Sequence, residues 1–95
     1  MTLSGWVQAG LSLSGSMYTV YVLRDSMGRL YKGLTNNLQR RLQEHRSGQT
    51  KSTSHMGDLR VVYTEEFKEF AVARSREVYL KTAAGRRFLK QVMRP

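Results

Sequence analysis

Two short strand-like segments separated by a turn constrain the fold most strongly. Residues 18–23 (YTVYVL) and 30–34 (LYKGL) are rich in β-branched and aromatic side chains, and the intervening RDSMGR contains the Asp and Gly typical of a hairpin loop. The pattern therefore predicts that the two strands pair antiparallel. Because side chains alternate between the faces of a strand, we expect Tyr21 and Tyr31 on one face if the register allows it, with Tyr18 on the other.

A helix is predicted directly after this hairpin. Asn36 or Asn37 is a suitable N-cap for a helix over residues 38–46, and Gly48 is a suitable end. The spacing of its apolar residues gives the helix one buried stripe.

A third strand and two further helices complete the predicted order. Leu59, Val61 and Tyr63 alternate along a strand-like segment and are expected to share a face. A helix is predicted from residue 70 to about 81, and Gly85, which weakens helices, is expected to break it from a last helix. The predicted order is β-β-α-β-α-α.

Residues 1–16 differ from the rest of the chain. They contain no charged side chain and no clear period of two or 3.6, so we expect a flexible N-terminal arm or extension, followed by one folded domain over residues 17–95. The chain has no cysteine, which excludes disulfides and thiolate metal sites. No apolar run approaches the ~20 residues of a membrane span, and the arm lacks the features of a signal peptide. A cytoplasmic location is therefore expected.

The charge of the chain indicates a polyanionic partner. The chain has sixteen Lys and Arg residues and only seven Asp and Glu residues, which gives a formal net charge of +9. The basic residues are spread through the folded-looking segments and mixed with tyrosines, a pattern that favours nucleic acid over a lipid surface. A general solubilising excess of charge is the alternative.

Glu77 is the most unexpected residue of the predicted second helix. At 100° per residue it falls within the apolar arc of that helix, where a carboxylate is unusual. Arg74 and Lys81 border it at i−3 and i+4, so local salt bridges could explain it. The alternative is a carboxylate that faces a cleft and holds a hard divalent cation.

Arg41, His45 and the tyrosines also allow two interpretations each. Arg41 and His45 lie four residues apart on one side of the first helix, either as solvated residues or as a phosphate-binding pair. The tyrosines could serve packing alone, or act as bases if cations depress their pKa from ~10. Gly33 leaves its strand without a side chain at a place where a ligand backbone could approach.

Five positions together resemble a known family. The segments TVY (19–21) and YKG (31–33), followed by Arg41, His45 and a helical Glu77, resemble the GIY-YIG nuclease family. The chain looks most similar to its small stand-alone members, which resemble the N-terminal domain of the UvrABC excinuclease C subunit. The resemblance covers residues 17 to about 90, and it implies an α+β fold in which helices flank a three-stranded antiparallel sheet.

The resemblance also implies a reaction. Tyr21 and Tyr31 match the tyrosines of the two family motifs, Arg41 matches the catalytic arginine, and His45 falls where the family has His or Tyr. Glu77 matches the glutamate that binds a single Mg²⁺ or Mn²⁺, and its helix is expected to present it beside the sheet face that bears both tyrosines. A tyrosinate, or His45 in its place, would deprotonate water, Arg41 would neutralise the developing charge, and the metal would stabilise the leaving 3′ oxygen.

The expected partner is DNA, bound through its backbone and with a preference for structure over sequence. The residues expected to contact it nonspecifically are Lys32, Arg40, Lys51 and Arg86. The leading function is a metal-dependent DNA endonuclease of DNA repair or structured-DNA processing. A nucleic-acid-binding module with weak or no turnover is the main alternative, and an RNA-binding role at the ribosome is a third.

Overall fold

The computed structural model describes residues 17–93. The predicted order β-β-α-β-α-α is confirmed, whereas the predicted arm over residues 1–16 lies outside the described residues. No helix within that part of the chain is long and apolar enough to cross a membrane. The elements are β1 (Tyr18–Arg24), β2 (Leu30–Thr35), α1 (Leu38–Arg46), β3 (Arg60–Phe67), α2 (Phe70–Leu80) and α3 (Ala83–Val92).

The three strands form one antiparallel sheet with the order β2-β1-β3. The predicted hairpin is confirmed, with Tyr21 opposite Gly33 and Leu23 opposite Tyr31. Because Tyr21 and Leu23 are two residues apart, both tyrosines lie on the same sheet face. β1 is the central strand, so it must be covered on both faces.

Two apolar clusters cover the two faces of the sheet. On one face, Val20 and Val22 pack with residues of α2 and α3, and Tyr18 packs against the same cluster. On the other face, Tyr21 and Leu23 pack with Leu59 and with partly buried side chains of α1. The sheet therefore lies between α1, with the loop that follows it, and the pair of helices α2 and α3.

A β-bulge changes the faces of β3. Val22 is opposite Tyr63 while Leu23 is opposite Val61, so Val62 is an extra residue on β3. The bulge turns Tyr63 towards α2 and α3, whereas Val61 packs on the α1 side. The prediction that Tyr63 shares a face with Val61 was therefore wrong, because the alternation is interrupted between them.

The helix ends follow the capping residues. The side chain of Asn37 accepts a hydrogen bond from the Arg40 N–H at the start of α1, and Gly48 follows the helix with φ +80°, as the sequence indicates. Between α2 and α3, however, the break comes at Lys81 and Thr82, and Gly85 lies inside α3. Thr82 caps α3 by accepting from the Gly85 N–H, which corrects the prediction that Gly85 itself breaks the helix.

Candidate active site

Four of the five predicted site residues come together on the α1 side of the sheet. The Tyr21 hydroxyl lies 2.8 Å from Nε2 of His45. The ring of Tyr31 is 4.9 Å from that of His45 and 6.2 Å from that of Tyr21, measured between centroids. Arg41 lies near enough to Tyr21 and Tyr31 for both phenols to contribute to its raised pKa.

The local sequence explains this convergence. Tyr21 on β1 and Tyr31 on β2 project from one face because of the antiparallel register. Leu38 and Leu42 hold α1 against that face. One helical turn separates Arg41 from His45, so both side chains lie on the same side of α1 and next to the tyrosines.

Gly33 has a different purpose from the one predicted. A Cβ atom at this position would lie 2.4 Å from both Cζ and Oη of Tyr21. The ring of Tyr21 therefore already occupies the space above Gly33. Gly33 therefore leaves room for the side chain of Tyr21, and this space is not open to the backbone of a ligand.

The four residues form an inner and an outer pair. Tyr21 and His45 are only 1% and 2% exposed. Tyr31 is half-buried, and the side chain of Arg41 is 33% exposed. A phosphate that approached this face would therefore meet Arg41 and Tyr31 first, with Tyr21 and His45 behind them.

Burial dominates the proton chemistry of the inner pair. It raises the pKa of Tyr21 to about 12, helped by the nearby Tyr31 and opposed by Arg41. Tyr21 therefore does not meet the condition for acting as a base, which is a pKa depressed by neighbouring cations. Burial, and next the positive charge of Arg41, lower the pKa of His45 below 6.5, so this imidazole is neutral at pH 7 and can accept a proton.

Arg41 remains cationic in this setting. Its Nη1 donates to Oε1 of Glu44 at 2.9 Å, and this hydrogen bond is the main reason that the pKa of Arg41 is raised. The partner carboxylate is itself partly exposed. A salt bridge of this kind contributes only ~0.2–1 kcal/mol, so the guanidinium can exchange it for a phosphate.

Thr53 also belongs to the site, although nothing in the amino-acid sequence around it indicates this. It lies in the loop that connects α1 to β3, is fully buried, and places Oγ1 2.7 Å from Nδ1 of His45. Its neighbours Ser52 and Ser54 are also small and polar, and both are exposed. Nothing in the local pattern distinguishes Thr53 from them.

Within residues 17–93, Glu77 makes no hydrogen bond to the four converging residues. It belongs to α2, whose Ala73 and Leu80 pack with Val20 and Val22 on the other face of the sheet. The expectation that this helix presents the Glu77 carboxylate beside the tyrosine-bearing face stays a prediction. The carboxylate is 8% exposed and holds two salt bridges, from Arg74 at 2.6 Å and from Lys81 at 3.3 Å. Among residues 17–93, no group of three or more His, Asp or Glu side chains could hold a metal ion.

The predicted DNA-binding residues lie on both sides of the sheet. Lys32 projects from the edge strand β2, where burial lowers its pKa and the nearby charges of Arg86 and Lys81 lower it further. Arg40 on α1 and Lys51 in the following loop are exposed on the side of the tyrosines. The basic residues thus flank β2 from both faces.

Comparison with known proteins gives a consistent family. The model of the GIY-YIG catalytic domain matches residues 17–90. A UPF0213 protein of Clostridium perfringens is 41% identical over 66 residues, which cover 68% of this chain and 71% of that protein. A UPF0213 protein of Yersinia enterocolitica is 32% identical over 82 residues, or 85% and 84% of the two chains.

A solved structure agrees with these sequence matches. The solution NMR structure of a UPF0213 protein from Bacillus halodurans superimposes with a TM-score of 0.52 at 29% identity, covering 80% of this chain and 84% of that one. The family match over residues 17–90 lies within the described residues 17–93. The chain therefore belongs to the GIY-YIG family and, within it, to the UPF0213 proteins.

Proposed function

We propose that this protein is a metal-dependent endonuclease that hydrolyses phosphodiester bonds of DNA, in DNA repair or in the processing of structured DNA. The observation that supports it most is the convergence of Tyr21, Tyr31, Arg41 and His45 on one sheet face. GIY-YIG catalytic domains are generally endonucleases, which supports a phosphodiester as substrate. The net charge of +9 suits a polyanion.

The outer pair contacts the reacting phosphate. Arg41 neutralises charge that develops on the phosphoryl oxygens, since a fixed cation is worth most where charge appears in the transition state. Tyr31 is the phenol that meets the attacking water, because Tyr21 is too deeply buried to reach it. Tyr21 and His45 pack behind Tyr31 and hold its position.

Glu77 would hold the divalent cation. One carboxylate is a suitable hard ligand for Mg²⁺ or Mn²⁺ when water and phosphate oxygens complete the coordination. Its two salt-bridge partners are about half exposed, at 55% for Arg74 and 51% for Lys81, so a cation could displace them at little cost. Lys81, which holds Glu77, also lies near enough to Lys32 on the edge strand β2 to lower the pKa of that lysine, so Glu77 lies towards this edge of the sheet. A metal held there would supply positive charge for the leaving 3′ oxygen of a phosphate bound beside β2.

The placement of Glu77 also supports a second candidate function. The Glu77 carboxylate is held by two cations, and its helix packs on the opposite sheet face from Tyr21, so it fits a salt-bridged structural residue equally well. In that case the protein would bind nucleic acid through its basic surface without turnover. The two candidate functions predict different effects of removing the Glu77 carboxylate on DNA cleavage.

The test is a cleavage panel with linear, flapped and branched DNA and with structured RNA, at Mg²⁺ and at Mn²⁺. Glu77→Ala should remove cleavage while salt-sensitive DNA binding persists, and Mn²⁺ titration followed by EPR should show loss of a bound ion. Glu66→Ala is the matched control, because Glu66 is exposed and makes no salt bridge within residues 17–93. Cleavage that survives in Glu77→Ala, or a preference for RNA, would contradict the proposal.

A further inference from the structure

Thr53 is held firmly although it lies in a loop. Its N–H donates to the carbonyl of Thr50 at 3.1 Å, and its own carbonyl accepts from the Met56 N–H at 2.9 Å. The end of the same loop is tied to α1, since the Arg46 guanidinium donates twice to the carbonyl of Leu59. Oγ1 of Thr53 is therefore presented to His45 by an ordered backbone.

The proton on this hydroxyl determines the state of the imidazole. A neutral imidazole carries its proton on one nitrogen and accepts on the other. Nδ1 of His45 faces the Thr53 hydroxyl, and Nε2 faces the Tyr21 hydroxyl. Two arrangements are possible, with the imidazole proton directed towards either Thr53 or Tyr21.

Burial favours one of these arrangements. Thr53 is fully buried, and within residues 17–93 its hydroxyl has His45 Nδ1 as its side-chain partner. If Nδ1 carried the proton, the Thr53 hydroxyl proton would be left without an acceptor in the interior, which is costly. If Thr53 donates to Nδ1, the imidazole proton must be on Nε2. The hydroxyl proton of Tyr21 then has the side chain of Tyr31 as its acceptor, so both buried hydroxyls are satisfied. We expect a preference of about tenfold or more for this tautomer.

We propose that Thr53 is a positioning residue that fixes His45 in the Nε2–H tautomer, so that the imidazole donates to Oη of Tyr21. The hydroxyl proton of Tyr21 is then free for the neighbouring hydroxyl of Tyr31. The hydrogen bonds run in one direction, from Thr53 to His45 and from His45 to Tyr21, and hydrogen bonds in such a chain strengthen one another. The consequence for turnover rests on the proposed nuclease function, whereas the tautomer does not.

The tautomer can be measured without any substrate. Long-range ¹⁵N–¹H correlation NMR distinguishes the two ring nitrogens of a neutral histidine. His55→Gln, a change at an exposed loop position, leaves His45 as the single histidine and gives an unambiguous assignment. The expected result is the Nε2–H form, and a predominant Nδ1–H form would overturn the proposal whether or not the protein is a nuclease.

Variants of Thr53 test the role of the hydroxyl. Thr53→Val keeps the shape of the side chain and removes the hydroxyl donor, so the preference of His45 for the Nε2–H tautomer should shrink. The kcat should fall about 10–100-fold with KM little changed, because residues that orient an imidazole by a hydrogen bond have effects of this size when they are replaced. Thr53→Ser keeps the hydroxyl and should restore both the tautomer and kcat.

Thr50→Val is the matched control. Thr50 lies in the same loop, is also buried, and its Oγ1 has no hydrogen-bond partner among the described residues. Its replacement should leave the His45 tautomer and kcat unchanged. Equal effects of Thr50→Val and Thr53→Val would indicate a general disturbance of the loop and would refute a specific role for Thr53. An unchanged tautomer in Thr53→Val would refute it too. If no DNA is cleaved by the wild type, the nuclease proposal fails while the NMR result still decides this one.

Discussion

Replacing Gly33 with alanine is expected to displace the ring of Tyr21. The new Cβ would lie 2.4 Å from Cζ and Oη of Tyr21, whereas ordinary contacts begin at 3.4 Å, so the two must separate by about 1 Å. Tyr21 is 1% exposed, and its hydroxyl lies 2.8 Å from Nε2 of His45. A shift of this size away from β2 takes that hydrogen bond to its limit of about 3.5 Å or beyond.

The expected cost is moderate for stability and larger for turnover. Overpacking a core costs ~1–3 kcal/mol, and replacing a glycine returns ~0.4–1 kcal/mol through the unfolded chain. The free energy of unfolding of Gly33→Ala should therefore fall by about 1–2 kcal/mol, which lowers Tm by roughly 4–15 °C in a domain of this size. Tyr21 positions Tyr31, and a misplacement of about 1 Å that is passed to the reacting groups can lower kcat about 100-fold.

Urea unfolding followed by circular dichroism measures the first effect, and DNA cleavage measures the second. Gly57→Ala is the matched control, because a Cβ at Gly57 would meet no atom within 4 Å. Tyr21→Leu removes the atoms that clash, so Gly33→Ala should cost little in that background. The reasoning is refuted if Gly33→Ala behaves like Gly57→Ala, or if its cost is undiminished beside Tyr21→Leu.

Two further predictions concern other parts of the fold. Gly85→Ala should destabilise the protein by about 3 kcal/mol or more in urea unfolding, since its Cβ would lie 2.0 Å from the carbonyl oxygen of Tyr79 and 2.5 Å from Cα of Leu80, backbone atoms that cannot rotate away. Asp25→Asn should destabilise the protein at neutral pH and progressively less in acid. Burial alone would raise the pKa of Asp25, but the hydrogen bonds from Arg29 outweigh it and lower this pKa, so the stabilisation is present above pH ~4 and is lost as the pH falls through the lowered value. Urea unfolding of the wild type and of Asp25→Asn between pH 7 and pH 2 should show their free energies of unfolding converging as the pH falls.

The parts of the fold that local patterns encode could be predicted from the sequence. The hairpin follows from two β-rich segments around an Asp and Gly turn, and its register puts Tyr21 and Tyr31 on one face. The first helix follows from an Asn cap and a Gly end, and its period puts Arg41 beside His45. Each of these inferences needs only neighbours within about ten residues.

Contacts between distant segments could not be predicted in the same way. Thr53 reaches His45 through the fold of a polar loop in which four of five consecutive residues are Ser or Thr. The space above Gly33 is filled by Tyr21 from the adjacent strand. A glycine in the sequence shows that a side chain is absent, but not which neighbour fills the space. The bulge at Val62 likewise depends on how β3 pairs with β1.

The sheet face that α2 covers could be inferred from the sequence. The central strand is apolar on both faces, since Val20 and Val22 alternate with Tyr21 and Leu23. A strand of this kind needs cover on both sides. The first helix and its loop cover the tyrosine side, and a three-stranded sheet has room for little more there. The remaining helices must cover Val20 and Val22, and the apolar arc that contains Glu77 turns towards that face. A helix's own period shows which of its sides is buried, but only the apolar pattern of the sheet shows which sheet face that side covers.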